Sequence, residues 1–167
     1  MENILNIHAA SHTTNVDEVL AKRLWDNEEC PYFDLIMYGD GRIFPLQPIG
    51  QDNADRYYMN STAWMPISQV PGVNDSNSLN EGFASLYSKD FPDLDLGLSC
   101  SECCSSGENG FVSLSLLSTG ALIRLAFLIS SNPFESGDID HEEVIVTSTD
   151  GRKFRFRLEK PESVRII

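Results

Sequence analysis

Hydrophobic positions along this chain recur at two spacings, and each spacing predicts a kind of element. In Asn15-Val-Asp-Glu18 a capping residue is followed three positions later by an acid, and Val16, Val19, Leu20, Leu24 and Trp25 then recur at helical intervals. The pattern predicts an amphipathic helix from Asn15 to about Glu29, stopped by Pro31. Ser78-Leu-Asn-Glu81 repeats the capping pattern, and Leu79, Phe83, Leu86 and Tyr87 predict a second helix ending before Pro92.

Elsewhere the period is two. Residues 4–9 predict a short opening strand. Phe33–Tyr38 and Arg42–Leu46 flank Gly39-Asp-Gly41, whose glycines supply the positive φ that a tight hairpin turn demands. Residues 56–67 predict a further strand, followed by a polar loop through 73–77. From Asp93 to Cys100, Leu94, Leu96, Leu98 and Cys100 alternate with Asp93, Asp95, Gly97 and Ser99, which puts the acids on a polar face and Cys100 on an apolar one. Strands are also predicted over Phe111–Leu117 and Ala121–Ile129. The second is apolar on both faces except at Arg124, the pattern of a central, doubly covered strand.

The closing hairpin permits a prediction of register. A two-residue turn at Asp150-Gly151 sets Val144 against Arg157. A three-residue loop, Thr149 to Gly151 with glycine in the left-handed position, pairs Val146 with Phe154, Val144 with Phe156 and Glu143 with Arg157. The second register matches apolar with apolar and acid with base, and is the one expected. Seven or eight strands joined by short turns, with two helices inserted, make an α+β fold dominated by antiparallel sheet, expected as a single domain over residues 1–167.

Charge and cysteine usage add chemistry to this outline. Twenty-five acidic and twelve basic residues give a net charge of −13. Residues 152–167 hold six basic and two acidic residues, +4, so residues 1–151 carry six basic and twenty-three acidic ones, −17. Such a surface repels a phosphate backbone, and nucleic acid is not an expected partner. No apolar run reaches the length of a membrane span, since Phe111–Ile129 is interrupted by Arg124 and polar residues. The opening MENILNIHAASH lacks the basic and apolar regions of a secretory signal, so a soluble cytoplasmic protein with reduced cysteines is expected.

Three of the four cysteines crowd into Gly97–Gly110. Cys100-x-x-Cys103 has zinc-knuckle spacing and Cys104 adds a neighbouring thiol, yet a structural site needs four ligands and Cys30 stands alone beside Pro31. His8 and His12 stand four apart, but without the acid after His8 that a metalloprotease helix requires. A metal-binding protein organised by Cys100, Cys103 and Cys104 therefore stands as an alternative, against a buried Cys100 and a reduced loop beyond it. Redox catalysis is disfavoured, because Glu102 and Glu108 raise neighbouring thiol pKa values. A nucleophile needs a base, and His8, His12 and His141 sit in no nucleophile elbow; an enzyme assembled in space is a further alternative. The acid-dense segments Asp90–Asp95 and Asp138–Glu142 lack the twelve-residue calcium loop. No catalytic residue, cofactor or metal ligand is assigned.

Binding remains. Glu135, Asp138, Asp140, Glu142 and Glu143 place five acids in nine residues, Asp93 and Asp95 lie on their strand's polar face, and Glu102 flanks it. Meeting on one side of the sheet, Asp93, Asp95, Glu102, Glu135, Asp138, Asp140 and Glu142 would form a negative field that speeds encounter with a basic protein. In this profile, and in the stretch SSNPFESGDIDHEEVIVTSTDGRKFRF, the chain resembles the immunity proteins that bacteria pair with secreted toxins, including those of contact-dependent inhibition. The resemblance implies a non-covalent inhibitor that occludes a cognate toxin, often a nuclease, with carboxylates facing the toxin's Lys and Arg.

Overall fold

The structure is a computed structural model that describes residues 15–49, 56–59, 64–103, 107–158 and 163–167. The strand expected over 4–9, His8, His12 and Cys104 lie outside these residues. One α-helix is present among them, α1 (Asn15–Asp26). It stops before Glu29 because Glu28 turns into the left-handed region at φ 56°, and Pro31 already belongs to a strand.

Fifteen strands follow: β1 (Glu29–Pro31), β2 (Leu35–Tyr38), β3 (Arg42–Pro45), β4 (Gln47–Ile49), β5 (Arg56–Met59), β6 (Met65–Pro66), β7 (Leu79–Glu81), β8 (Phe83–Phe91), β9 (Leu96–Cys103), β10 (Gly110–Leu116), β11 (Leu122–Leu128), β12 (Phe134–Asp140), β13 (Glu143–Ser148), β14 (Lys153–Arg157) and β15 (Ser163–Ile166). Seven form a sheet in the order β6-β3-β2-β11-β10-β9-β8, six a second in the order β12-β13-β14-β15-β5-β4, and β1 pairs with β7. Every pairing is antiparallel. The stretch predicted as one strand over 56–67 thus feeds both large sheets, through β5 and β6.

Two cores flank the seven-stranded sheet. One face packs against the six-stranded sheet through residues that include Leu98, Cys100, Ala126, Leu128, Val144, Val146, Phe154 and Phe156. The other packs beneath α1 and the 3-10 turn after β6, through Ala21, Leu24, Ile67, Cys103, Phe111, Leu125 and Phe127. Strand β11 lies centrally with a core on each face, as its unbroken apolar run predicts. Arg124 is buried within it, its Nη1 donating to the carbonyls of Arg157 and Leu158 at 3.2 Å each.

The second predicted helix is not formed; residues 79–91 are β7 and β8. Gly82, at φ +83°, interrupts the segment, and a β-bulge at Leu86 explains why its spacing mimics a helix. Ser85 pairs with Ser101 and Tyr87 with Cys100, so the strand's alternation inverts between them. Phe83 consequently packs into the core under α1, while Tyr87 and Phe91 pack into the core between the sheets. Leu86, expected on an apolar helix face, is 75% exposed.

Strand β9 differs at both ends from its prediction. Leu98 and Cys100 do point into one core and Leu96 is buried, but Pro92–Leu94 is a 3-10 turn and Asp95 is left-handed at φ 53°. Asp93 and Asp95 are turn residues, not the polar face of a strand. At the other end the strand continues to Cys103. The closing hairpin has the predicted register, with Val146 opposite Phe154, Val144 opposite Phe156, Glu143 opposite Arg157, and Gly151 left-handed at φ 88°.

Candidate functional site

Three turns follow one another along one end of the seven-stranded sheet. The pairings Arg124–Tyr38 and Leu116–Leu96 place the β2–β3 turn, the tip joining β10 to β11, and the β8–β9 turn in that order. Asp95 ties two of them together: its carboxylate accepts from the Ser118 amide at 2.9 Å and the Ser118 hydroxyl at 2.7 Å, and its carbonyl accepts from the Leu117 amide.

Strand β12 brings further acids to this end. A Cβ on Gly137 would stand 2.8 Å from Leu98 and 3.6 Å from Cys100, and one on Gly110 would meet Phe134. The strand therefore runs from the Gly110 end of the molecule toward Leu96, and its glycine sits where a Cβ would press on the Leu98 side chain of the facing sheet. Asp138 bridges the sheets by accepting from Lys89 of β8 at 2.8 Å. That hydrogen bond holds the Asp138 carboxyl below the usual carboxylate range and raises the Lys89 ammonium, each favouring the charged form of the other. Asp140 and Glu142 continue past it, exposed, into the β12–β13 turn.

Of the seven residues predicted to bind, Asp93, Asp95, Asp138, Asp140 and Glu142 thus share one end. Glu102 and Glu135 do not. Glu102 stands six residues along β9 from Leu96, about 20 Å away at strand rise, and accepts from the Gly107 amide at 3.0 Å to close the loop after β9. Glu135 sits beside Phe134, on the exposed side of β12 near the same far end. The acids do not line a sheet face; they decorate a row of turns.

The same end holds a groove of about 640 Å³ that the sequence did not signal, formed between α1 and the turns. Glu18, Lys22, Trp25 and Asp26 line it from the helix, Asp40 from the β2–β3 turn, and residues 119–123 from the β10–β11 tip. Trp25 Nε1 donates to the Gly120 carbonyl at 3.3 Å. Lys22 is held by Asp26 at 2.6 Å, and Arg42 by Asp40 at 2.8 Å. With Lys89 on Asp138, the three cations Lys22, Arg42 and Lys89 each face a carboxylate, while Asp90, Asp93, Asp140 and Glu142 make no ion pair with them. The basic tail goes elsewhere: Lys153, Arg155 and Arg157 point away from the core on β14, with Arg165 opposite Arg155, and Glu143 pairs with Arg155 at 3.2 Å.

The cysteine cluster divides. Cys100 is buried in the core between the sheets and Cys103 in the core under α1, on opposite faces of β9, so the two thiols cannot meet at one ion. Among the described residues no three His, Cys, Asp or Glu side chains are grouped to hold a metal. Burial pushes the Cys100 thiol up to about 12. His141 lies in the β12–β13 turn with its side chain 93% exposed, in no concave site. No family model matches the chain, and no curated protein or solved structure matches it.

Proposed function

We propose that this protein is an immunity-type inhibitor, acting in the cytoplasm of a bacterial cell, that binds and neutralises a cognate toxin with a basic surface, such as a nuclease. One observation carries the reading: five of the seven predicted acids share the end of the molecule where three turn tips meet. Those turns project from paired strands, so the carboxylates are presented on a stiff frame. Little ordering is then needed on binding. The toxin's substrate-binding Lys and Arg would face this end, and occlusion of that site would be the inhibitory event.

The test is to mix the purified protein with the toxin domain encoded beside its gene and follow association across a range of salt concentrations. The expected rate falls steeply with salt. The triple variant Asp93→Asn, Asp140→Asn, Glu142→Gln, whose sites are exposed, should associate about tenfold more slowly at low salt. Absence of a complex, together with no protection of cells expressing the toxin, overturns the proposal.

A further inference from the structure

The groove beside α1 has a chemistry more specific than the acidic end as a whole. Its lining combines three surfaces. Leu116, Leu122 and Ile123 supply aliphatic walls, Trp25 an aromatic one, and Glu18 a carboxylate that makes no ion pair among the described residues. Glu18, Lys22 and Trp25 stand at i, i+4 and i+7, so they project along one side of the helix. Because Asp26 already holds Lys22 and Asp40 already holds Arg42, Glu18 is, among the described residues, the carboxylate of the groove without an ion pair.

We infer that this groove receives a basic segment of the partner protein, with an arginine or lysine laid along Trp25 and its head group on Glu18. The inference rests on the inhibitor reading and names the contact that anchors it. A long cationic side chain is amphipathic: its methylenes need an apolar wall and its head needs a carboxylate or an aromatic face. The groove offers all three. Its volume, about 640 Å³, is that of a site for a few residues. The hydrogen bond from Trp25 to Gly120 sets the indole as a fixed wall across the slot, so little rotamer freedom is lost when a cation docks. Trp and Arg also dominate the energetic centres of protein interfaces.

The experiment is a titration of the whole protein with N-acetyl tri-arginine amide at moderate salt, followed by the Trp25 indole N–H resonance, which is assigned by its loss in Trp25→Phe. The resonance should shift saturably, and acetyl tri-glutamate amide should leave it in place. Glu18→Lys should weaken the binding about fivefold or more, while Glu135→Lys, at the far end, should change it by less than about twofold. An unmoved indole, with shifts confined to 138–142, places the peptide on the turns and overturns the inference. Equal weakening by the two lysine variants shows diffuse charge and overturns it as well. A toxin complex indifferent to Glu18→Lys removes the groove but leaves the acidic-end reading standing. Absence of any complex removes that reading, while the peptide titration still decides the groove.

Discussion

Asp17 and its neighbours in α1 reverse the usual sorting of side chains. Asp17 is 1% exposed, whereas Val16 and Val19, expected on the buried face, are 61% and 60% exposed. The Asp17 carboxylate accepts from the Ser68 hydroxyl at 2.6 Å and the Ser68 amide at 3.1 Å, which ties the helix to the 3-10 turn after β6 and sets its rotation. Asp17→Ala is expected to cost about 1–3 kcal/mol, because it removes two charge-assisted hydrogen bonds that tie the helix to Ser68. Asp17→Asn, which keeps one acceptor oxygen, should cost less; urea unfolding of both variants checks this. Asp34 shows the opposite balance. Burial raises its pKa above 3.8 more than the hydrogen bond from the Ile129 amide lowers it. Its ionised form is therefore a liability in the folded state above the raised value, and the liability fades as pH falls toward the ordinary value. Asp34→Asn should thus raise the melting temperature at pH 7, with the gain shrinking as the pH approaches 4.

Elements are legible where each face keeps one environment along its whole length. The β13–β14 hairpin satisfies this condition, and its register followed from matching apolar and charged partners across a three-residue loop. Strand β8 does not. Its bulge sends Phe83 to one core and Tyr87 and Phe91 to the other, and a spacing of four between those aromatics imitates a helix. Strand β12 lacks an apolar alternation because Gly137 takes one of its buried positions, against Leu98 of the facing sheet. The β8–β9 turn belongs to this scale too. Removing the Asp95 carboxylate by Asp95→Ala should speed hydrogen exchange at the Ser118 amide about tenfold. Global stability should fall by only about 1 kcal/mol, since the contact joins two exposed turns.

Across the whole molecule, the seven-stranded sheet separates two cores, and this layering decides what the cysteines do. Cys100 faces one core, Cys30 and Cys103 the other, and all are fully buried. Ellman's reagent should therefore label no more than one of the four thiols rapidly in the native protein, and all four in denaturant. Two or more fast thiols would contradict the layering. Five of the seven acids singled out from the sequence sit at the turn end, whereas Lys153, Arg155, Arg157 and Arg165 lie on the outer face of the six-stranded sheet.

The sequence by itself determined the antiparallel character, the helix at Asn15, the hairpins around Gly39–Gly41 and Thr149–Gly151, and the excess of acid. All of these rest on interactions among residues near in the chain: caps, turn conformations and alternation against a single face. Only the tertiary structure decided which acids meet, that Cys100 and Cys103 part, and that a groove opens beside Trp25. Those outcomes depend on strand order and on where two sheets converge, and residues far apart in the chain supply the contacts that set both.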